Sequence, residues 1–145
     1  MLDDVSVTWT RGRRRVSTRR ELLPHDAVLA LLRDTHWGGT MSAPALAVAA
    51  RGSICFGVYD GDRLVGFARA VSDLATYAYL TDVVVAPEVR GEGIGEWLMR
   101  CVLAHPDLQG LRRIALLTRD AAEFYERLGF TRGSGDRAYF ERLGR

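Results

Sequence analysis

Between the apolar run Val83-Val84-Val85-Ala86-Pro87 and a run whose residues Ile94, Leu98, Cys101 and Val102 recur at helical spacing, the chain places Gly91, Gly93 and Gly95. The first run reads as a strand and the second as a helix, so the glycines fill a strand-to-helix turn. Glycine reaches φ > 0 at little steric cost and lets a ligand approach the main chain. The first N–H groups of a helix lack intrahelical partners and sit at the positive end of its dipole. Together these make an anion site, and phosphate is the expected anion. A tight turn that holds nothing is the competing reading, against which Arg90 beside the glycines weighs.

Two familiar phosphate loops fail here. The dinucleotide fingerprint GxGxxG finds Glu96 where its third glycine belongs. The Walker loop needs a lysine, and all 20 basic residues are arginine. The lack of lysine also removes Schiff-base chemistry, and the lack of asparagine removes N-glycosylation.

The 145 residues, 48% hydrophobic and 26% charged, suit one domain spanning 1–145. No apolar run approaches the ~18 residues of a membrane span, and MLDDVSVTWT lacks a signal-peptide layout, so a cytoplasmic protein without a membrane partner is expected. Cys55 and Cys101 read as buried thiols in a reducing compartment. Three scattered histidines and two distant cysteines have no metal-ligand spacing, so no metal is expected.

Charge is uneven. Residues 1–20 hold six arginines against Asp3 and Asp4, a balance of +4, and the remainder holds fourteen against sixteen acids, −2. A basic arm of this kind could dock a polyanion. A solvated hairpin whose arginines pair with carboxylates is the preferred reading, because no aromatic residues interleave the run as nucleic-acid stacking would need.

Pattern predicts a strand through Val5, Val7 and Trp9, a turn at Arg11-Gly12, and a helix opened by Pro24-His25-Asp26. A second helix is expected over 43–50. Segments 54–59 and 63–71 flank Asp60-Gly61-Asp62 as a hairpin, and 77–85 follows as a strand. After the glycine loop, His105-Pro106 stops the helix and 113–118 reads as a strand. Asp120 is expected to cap a helix carrying Ala121, Phe124, Tyr125 and Leu128, and 137–142 to close the sheet as a last strand. Strands and helices mix without strict alternation, which predicts an α/β domain with a partly antiparallel sheet.

Read as R-x-x-G-x-G, the segment Arg90-Gly91-Glu92-Gly93-Ile94-Gly95 resembles the pyrophosphate loop of the GNAT acyltransferase superfamily, (Q/R)xxGx(G/A). The V-x-P ending of the strand, Val85-Ala86-Pro87, and the helix residues Ala121, Phe124, Tyr125, Gly129 and Phe130 match further family segments in order, over roughly 54–131. The resemblance implies a GNAT-like mixed, largely antiparallel central sheet flanked by helices and splayed at the cofactor site. It implies acetyl-CoA as cosubstrate, its pantetheine arm on the strand Val83-Val84-Val85 and its diphosphate on the amides of Arg90, Gly91, Glu92, Gly93, Ile94 and Gly95. The implied reaction is attack of a small-molecule amine on the acetyl group.

By position Tyr125 is the implied general acid. A phenol of pKa ~10 protonating a thiolate of ~8.5 works uphill by about 2 kcal/mol, so its help comes late in the step or as a hydrogen bond. Asp82, the one carboxylate on the strand before the loop, is either the base or an ion-pair partner for an arginine such as Arg69; a water chain is the other base. Strict alternation sets Asp82 opposite Tyr77, Tyr79 and Thr81, although a bulge would shift the phase. Thr118 stands where family members often carry asparagine and keeps a shorter donor for the cofactor. His36, Trp37, Tyr77 and Tyr79 are the implied acceptor pocket, with core packing equally open for Trp37. The family admits a homodimer. Acetylation of a protein, peptide or aminoacyl-tRNA amine, and a coenzyme A-binding regulatory domain without catalysis, remain the rival functions.

Overall fold

The computed structural model describes residues 5–35, 41–133 and 135–144, and strands and helices share their ordered backbone almost evenly. β1 (Thr8–Arg11) and β2 (Arg14–Ser17) form a hairpin around Gly12, whose φ of 62° only glycine holds without strain. β3 (Ser53–Asp60) and β4 (Arg63–Ser72) turn through Gly61, also at φ 62°. β5 (Tyr77–Val85) follows a turn in which the Asp73 carboxylate accepts the amides of Ala75, Thr76 and Tyr77. β6 (Arg113–Leu116) completes a six-stranded sheet in the order β1-β2-β3-β4-β5-β6, antiparallel except for the parallel pair β5–β6. A parallel pair needs a crossover, and α3 (Ile94–Ala104) provides it.

Alternation sends side chains to two faces of the sheet, and helices cover both. α1 (His25–Arg33) and α2 (Ala43–Arg51) lay Val28, Leu32 and Leu46 against Cys55, Tyr59, Phe67 and Val84. Ser42 caps α2 by accepting the Ala45 amide at 3.2 Å. On the other face α3 packs Leu98, Met99 and Val102 against Ile54, Phe56, Ala78 and Leu80. Burial pushes the Cys101 thiol up to about 11, so it stays protonated and serves as packing. Fully buried His105 accepts the Asp107 amide on Nδ1, which leaves Nε2–H to donate to the Val5 carbonyl at 3.1 Å and ties the N-terminal segment to the end of α3. No helix among the described residues is long and apolar enough to cross a membrane.

Two expectations are corrected. Asp120 does not cap α4 (Ala122–Arg127); the Thr118 hydroxyl accepts the Ala121 amide at 3.1 Å instead. The closing strand over 137–142 does not form: none of its residues is in a strand, and Tyr139 and Phe140 stay exposed. The alternation of Ala138 and Phe140 resembles a strand pattern, but a strand also needs a paired edge, and β6 pairs with β5 alone.

Candidate active site

β5 and β6 pair only from Tyr77↔Arg113 to Leu80↔Leu116, while β5 runs on to Val85. Past Leu80 the strands part, and a cavity of about 710 Å³ opens between them. Tyr79, Thr81, Asp82 and Val83 line it from β5, Thr118 and Tyr125 from the far side, and Glu141 from the tail.

A bulge shapes the β5 wall. Phe67 pairs with Val84 and Arg69 with Thr81, so Asp82 and Val83 together oppose Ala68. Asp82 takes up the extra residue at φ 57°, a conformation that aspartate adopts more readily than most side chains. The bulge reverses the alternation: Ala78 and Leu80 pack on the α3 side, and beyond it Val83 and Val85 do so, while Val84 joins the α1–α2 side. The two sets of residues that strict alternation would separate are thereby brought to one face. Arg69 sits opposite Thr81 and donates through Nε to the Asp82 carboxylate at 2.9 Å, with side chains only 13% and 6% exposed. Asp82 is thus ion-paired at the bulge. Half-buried Tyr79 has its phenol pKa raised by burial first, then by the nearby Tyr77, Asp82 and Glu141.

The loop beyond β5 carries bare donors. Gly91 and Gly93 lie at φ 84° and 80°, and a Cβ on either would meet nothing within 4 Å. Among the described residues nothing accepts the amides of Gly91, Glu92 and Gly93, no side chain caps α3, and the bond from the Trp97 amide to the Gly93 carbonyl (3.1 Å) starts its ladder. Ile94, buried, anchors this first turn in the core. The Arg90 side chain turns away from the loop, its Nε donating to the Val85 carbonyl at 3.1 Å. Gly95 differs from its neighbours. It is helical, and its Cβ would stand 3.7 Å from Phe124 and Val85, an ordinary contact. Gly95→Ala is therefore expected to fold like the parent, whereas Gly93→Ala loses about 1–2 kcal/mol of stability. Thermal melts of the pair would check this; equal behaviour would remove the special role of Gly93.

Tyr125 lies on α4 between Phe124 and Phe130, edge to face at 5.0 and 5.8 Å. Its ring lines the cavity, its hydroxyl has no hydrogen-bond partner among the described residues, and burial raises its pKa. Thr118 keeps its O–H free to donate after accepting the Ala121 amide. Tyr77 is exposed at the far end of β5 and does not line the cavity. His36 and Trp37 lie outside the described residues. Sequence reasoning missed Glu141, because the tail was read as a strand and nothing in its spacing places it beside β5.

Each arginine of the N-terminal arm has a partner within the chain. Arg11 stacks over Trp97, Arg13 and Arg14 reach Asp60, and Arg14 also bonds Glu92. Arg15 lies over the Tyr59 ring and donates to the Gly61 carbonyl, Arg19 pairs with Glu21, and Arg20 donates to the carbonyls of Ala50 and Ser53.

A sheet of this order, parting beside a glycine-rich helix start, has clear relatives. The sequence model of the acetyltransferase (GNAT) domain matches residues 51–132. A Gibberella zeae protein named as an acetyltransferase is 37% identical over 140 residues, covering 81% of this chain and 78% of its own length. The crystal structure of a GNAT-family acetyltransferase of Xanthomonas campestris is 44% identical and superposes with a TM-score of 0.85 over 90% of this chain and 93% of the other. A Deinococcus radiodurans structure named as an acetyltransferase is 26% identical, with a TM-score of 0.74 over 94% and 93%. The chain belongs to the GNAT acetyltransferase family and is an acyltransferase.

Proposed function

We propose that the protein transfers the acetyl group of acetyl-CoA to the primary amine of a small molecule by direct attack. The observation that carries this reading is the joining of two features in one gap: a loop of open amides at one end, and a tyrosine hydroxyl without a partner beside the parted strands. The residues fit the cofactor, since the positive-φ glycines face open space and the cavity is of ligand size. Acetyl-CoA supplies an activated thioester whose leaving group is a thiolate.

The chain's own groups do the rest. The amides from Gly91 to Gly95 hold the diphosphate, and the edge of Val83-Val84-Val85 left bare by β6 holds the arm. Tyr125, kept protonated by burial, offers its proton or a hydrogen bond to the departing sulfur. Thr118 donates to the cofactor from the opposite wall. Because Asp82 is engaged by Arg69, the amine loses its proton through cavity water, with Asp120 and Glu141 the other carboxylates that line the cavity. Tyr79 forms the acceptor wall. The paired arginines of the arm leave no cause to invoke an acceptor borne on a polyanion.

The test is thiol release from acetyl-CoA across polyamines, amino acids, aminoglycosides and peptides. Turnover is expected with at least one small amine. Tight coenzyme A binding with no thiol release from any of them would turn the reading to a non-catalytic binding domain.

A further inference from the structure

The glycine loop built to receive a diphosphate also carries a carboxylate, Glu92, among its open amides. Left unpaired, that charge would repel the ligand. Its partner is Arg14, whose Nη1 lies 2.9 Å from the Glu92 carboxylate although it belongs to the distant strand β2. We infer that Arg14 is a positioning residue for the cofactor: it neutralises Glu92 beside the diphosphate loop and so makes the N-terminal hairpin a determinant of acetyl-CoA affinity.

Three acids flank this loop, and each has an arginine: Glu88 with Arg63, Glu92 with Arg14, and Glu96 with Arg100 at 3.5 Å. The carboxylates are similarly exposed, and it is Arg14 that is the least exposed of the three arginines. Arg63 and Arg100 are more than half exposed, and mobile surface pairs contribute little. Arg14 is 24% exposed and is anchored from behind by Asp60, its direct cross-strand partner, whose carboxylate accepts from Nε at 3.3 Å. The chain of contacts therefore runs from β3 through the hairpin to the loop. Glu92 also sits between Gly91 and Gly93, so the ion pair tethers the loop between its two positive-φ residues.

This inference rests on the proposed cofactor site, and the experiment separates the two. Coenzyme A and pantetheine, which lacks the diphosphate, would be titrated by calorimetry against the parent, Arg14→Gln, Glu92→Gln and the double variant, with Tm recorded for each. Arg14→Gln is expected to weaken coenzyme A about five- to tenfold at low salt, less at high salt, with pantetheine unmoved. Glu92→Gln should bind at least as well as the parent. The double variant should return to within about twofold of the parent, although the lost contact to Asp60 still lowers its Tm. In steady state the same change is expected in KM for acetyl-CoA, with kcat held. If Arg14→Gln binds like the parent, or the double variant stays as weak as Arg14→Gln, the neutralising role is overturned. If the parent itself fails to bind coenzyme A, it is the cofactor site that falls.

Discussion

A Tyr125→Phe variant is expected to turn over about 10²-fold more slowly than the parent while binding coenzyme A with unchanged Kd and melting at the same temperature. The hydroxyl has no partner among the described residues, so its loss leaves no buried group unpaired, and the ring keeps its edge-to-face contacts with Phe124 and Phe130. What disappears is a proton donor on the wall of the cavity. The pH profile gives a second readout. Burial raises the phenol pKa above its ordinary value of 10.0, so the donor form persists through neutral pH and is lost only as pH rises through that raised value. The parent should therefore show an alkaline fall in kcat that the variant lacks. A kcat within twofold of the parent would take Tyr125 out of the chemistry and leave it as packing.

For Asp82→Ala the expected loss is in stability, about 3 kcal/mol or more by urea denaturation. Its removal leaves the Arg69 guanidinium, 13% exposed, without its carboxylate, and asks alanine to hold φ 57°. Asp82→Asn should lose less, since asparagine tolerates the left-handed region and its amide oxygen still accepts from Arg69. A residue acting only as the base would behave in the opposite way: the asparagine variant would fold like the parent and lose the acid limb of its rate profile. Finding Asp82→Ala as stable as the parent would overturn the structural role assigned here.

Much of the fold could be read before the structure, for reasons visible in particular residues. Tyr77 to Val85 begins and ends as expected because Asp73 marks the turn before it and Pro87 follows closely after. The helix after the glycine loop ends where His105-Pro106 blocks it. Local chemistry sets those boundaries. One of the errors is local and the other is not. Asp120 is a good capping residue by type, yet the Thr118 hydroxyl reaches the Ala121 amide first. The tail has a strand-like pattern but joins no ladder.

The candidate site divides in the same way. The glycines at 91 and 93 announce their positive φ through residue type alone. The bulge at Asp82 could be raised only as one of two phases, because it depends on pairing with β4, and Glu141 depends on where the tail comes to rest. Arg14 and Glu92 are far apart along the chain, and no periodicity links them.

The sheet order repeats the chain order, so each pairing from β1 to β5 joins neighbours along the chain, and four of its five joints are antiparallel. Two pairings must wait for helices between their strands: β2–β3 for α1 and α2, and β5–β6 for α3. Closing such a loop carries an entropic penalty, and β5–β6 returns only four residues of parallel ladder for it, slightly weaker per residue than an antiparallel one. The candidate site thus sits at the one parallel joint of the sheet, where the two strands part. Substrate bound across it would act as the missing rungs.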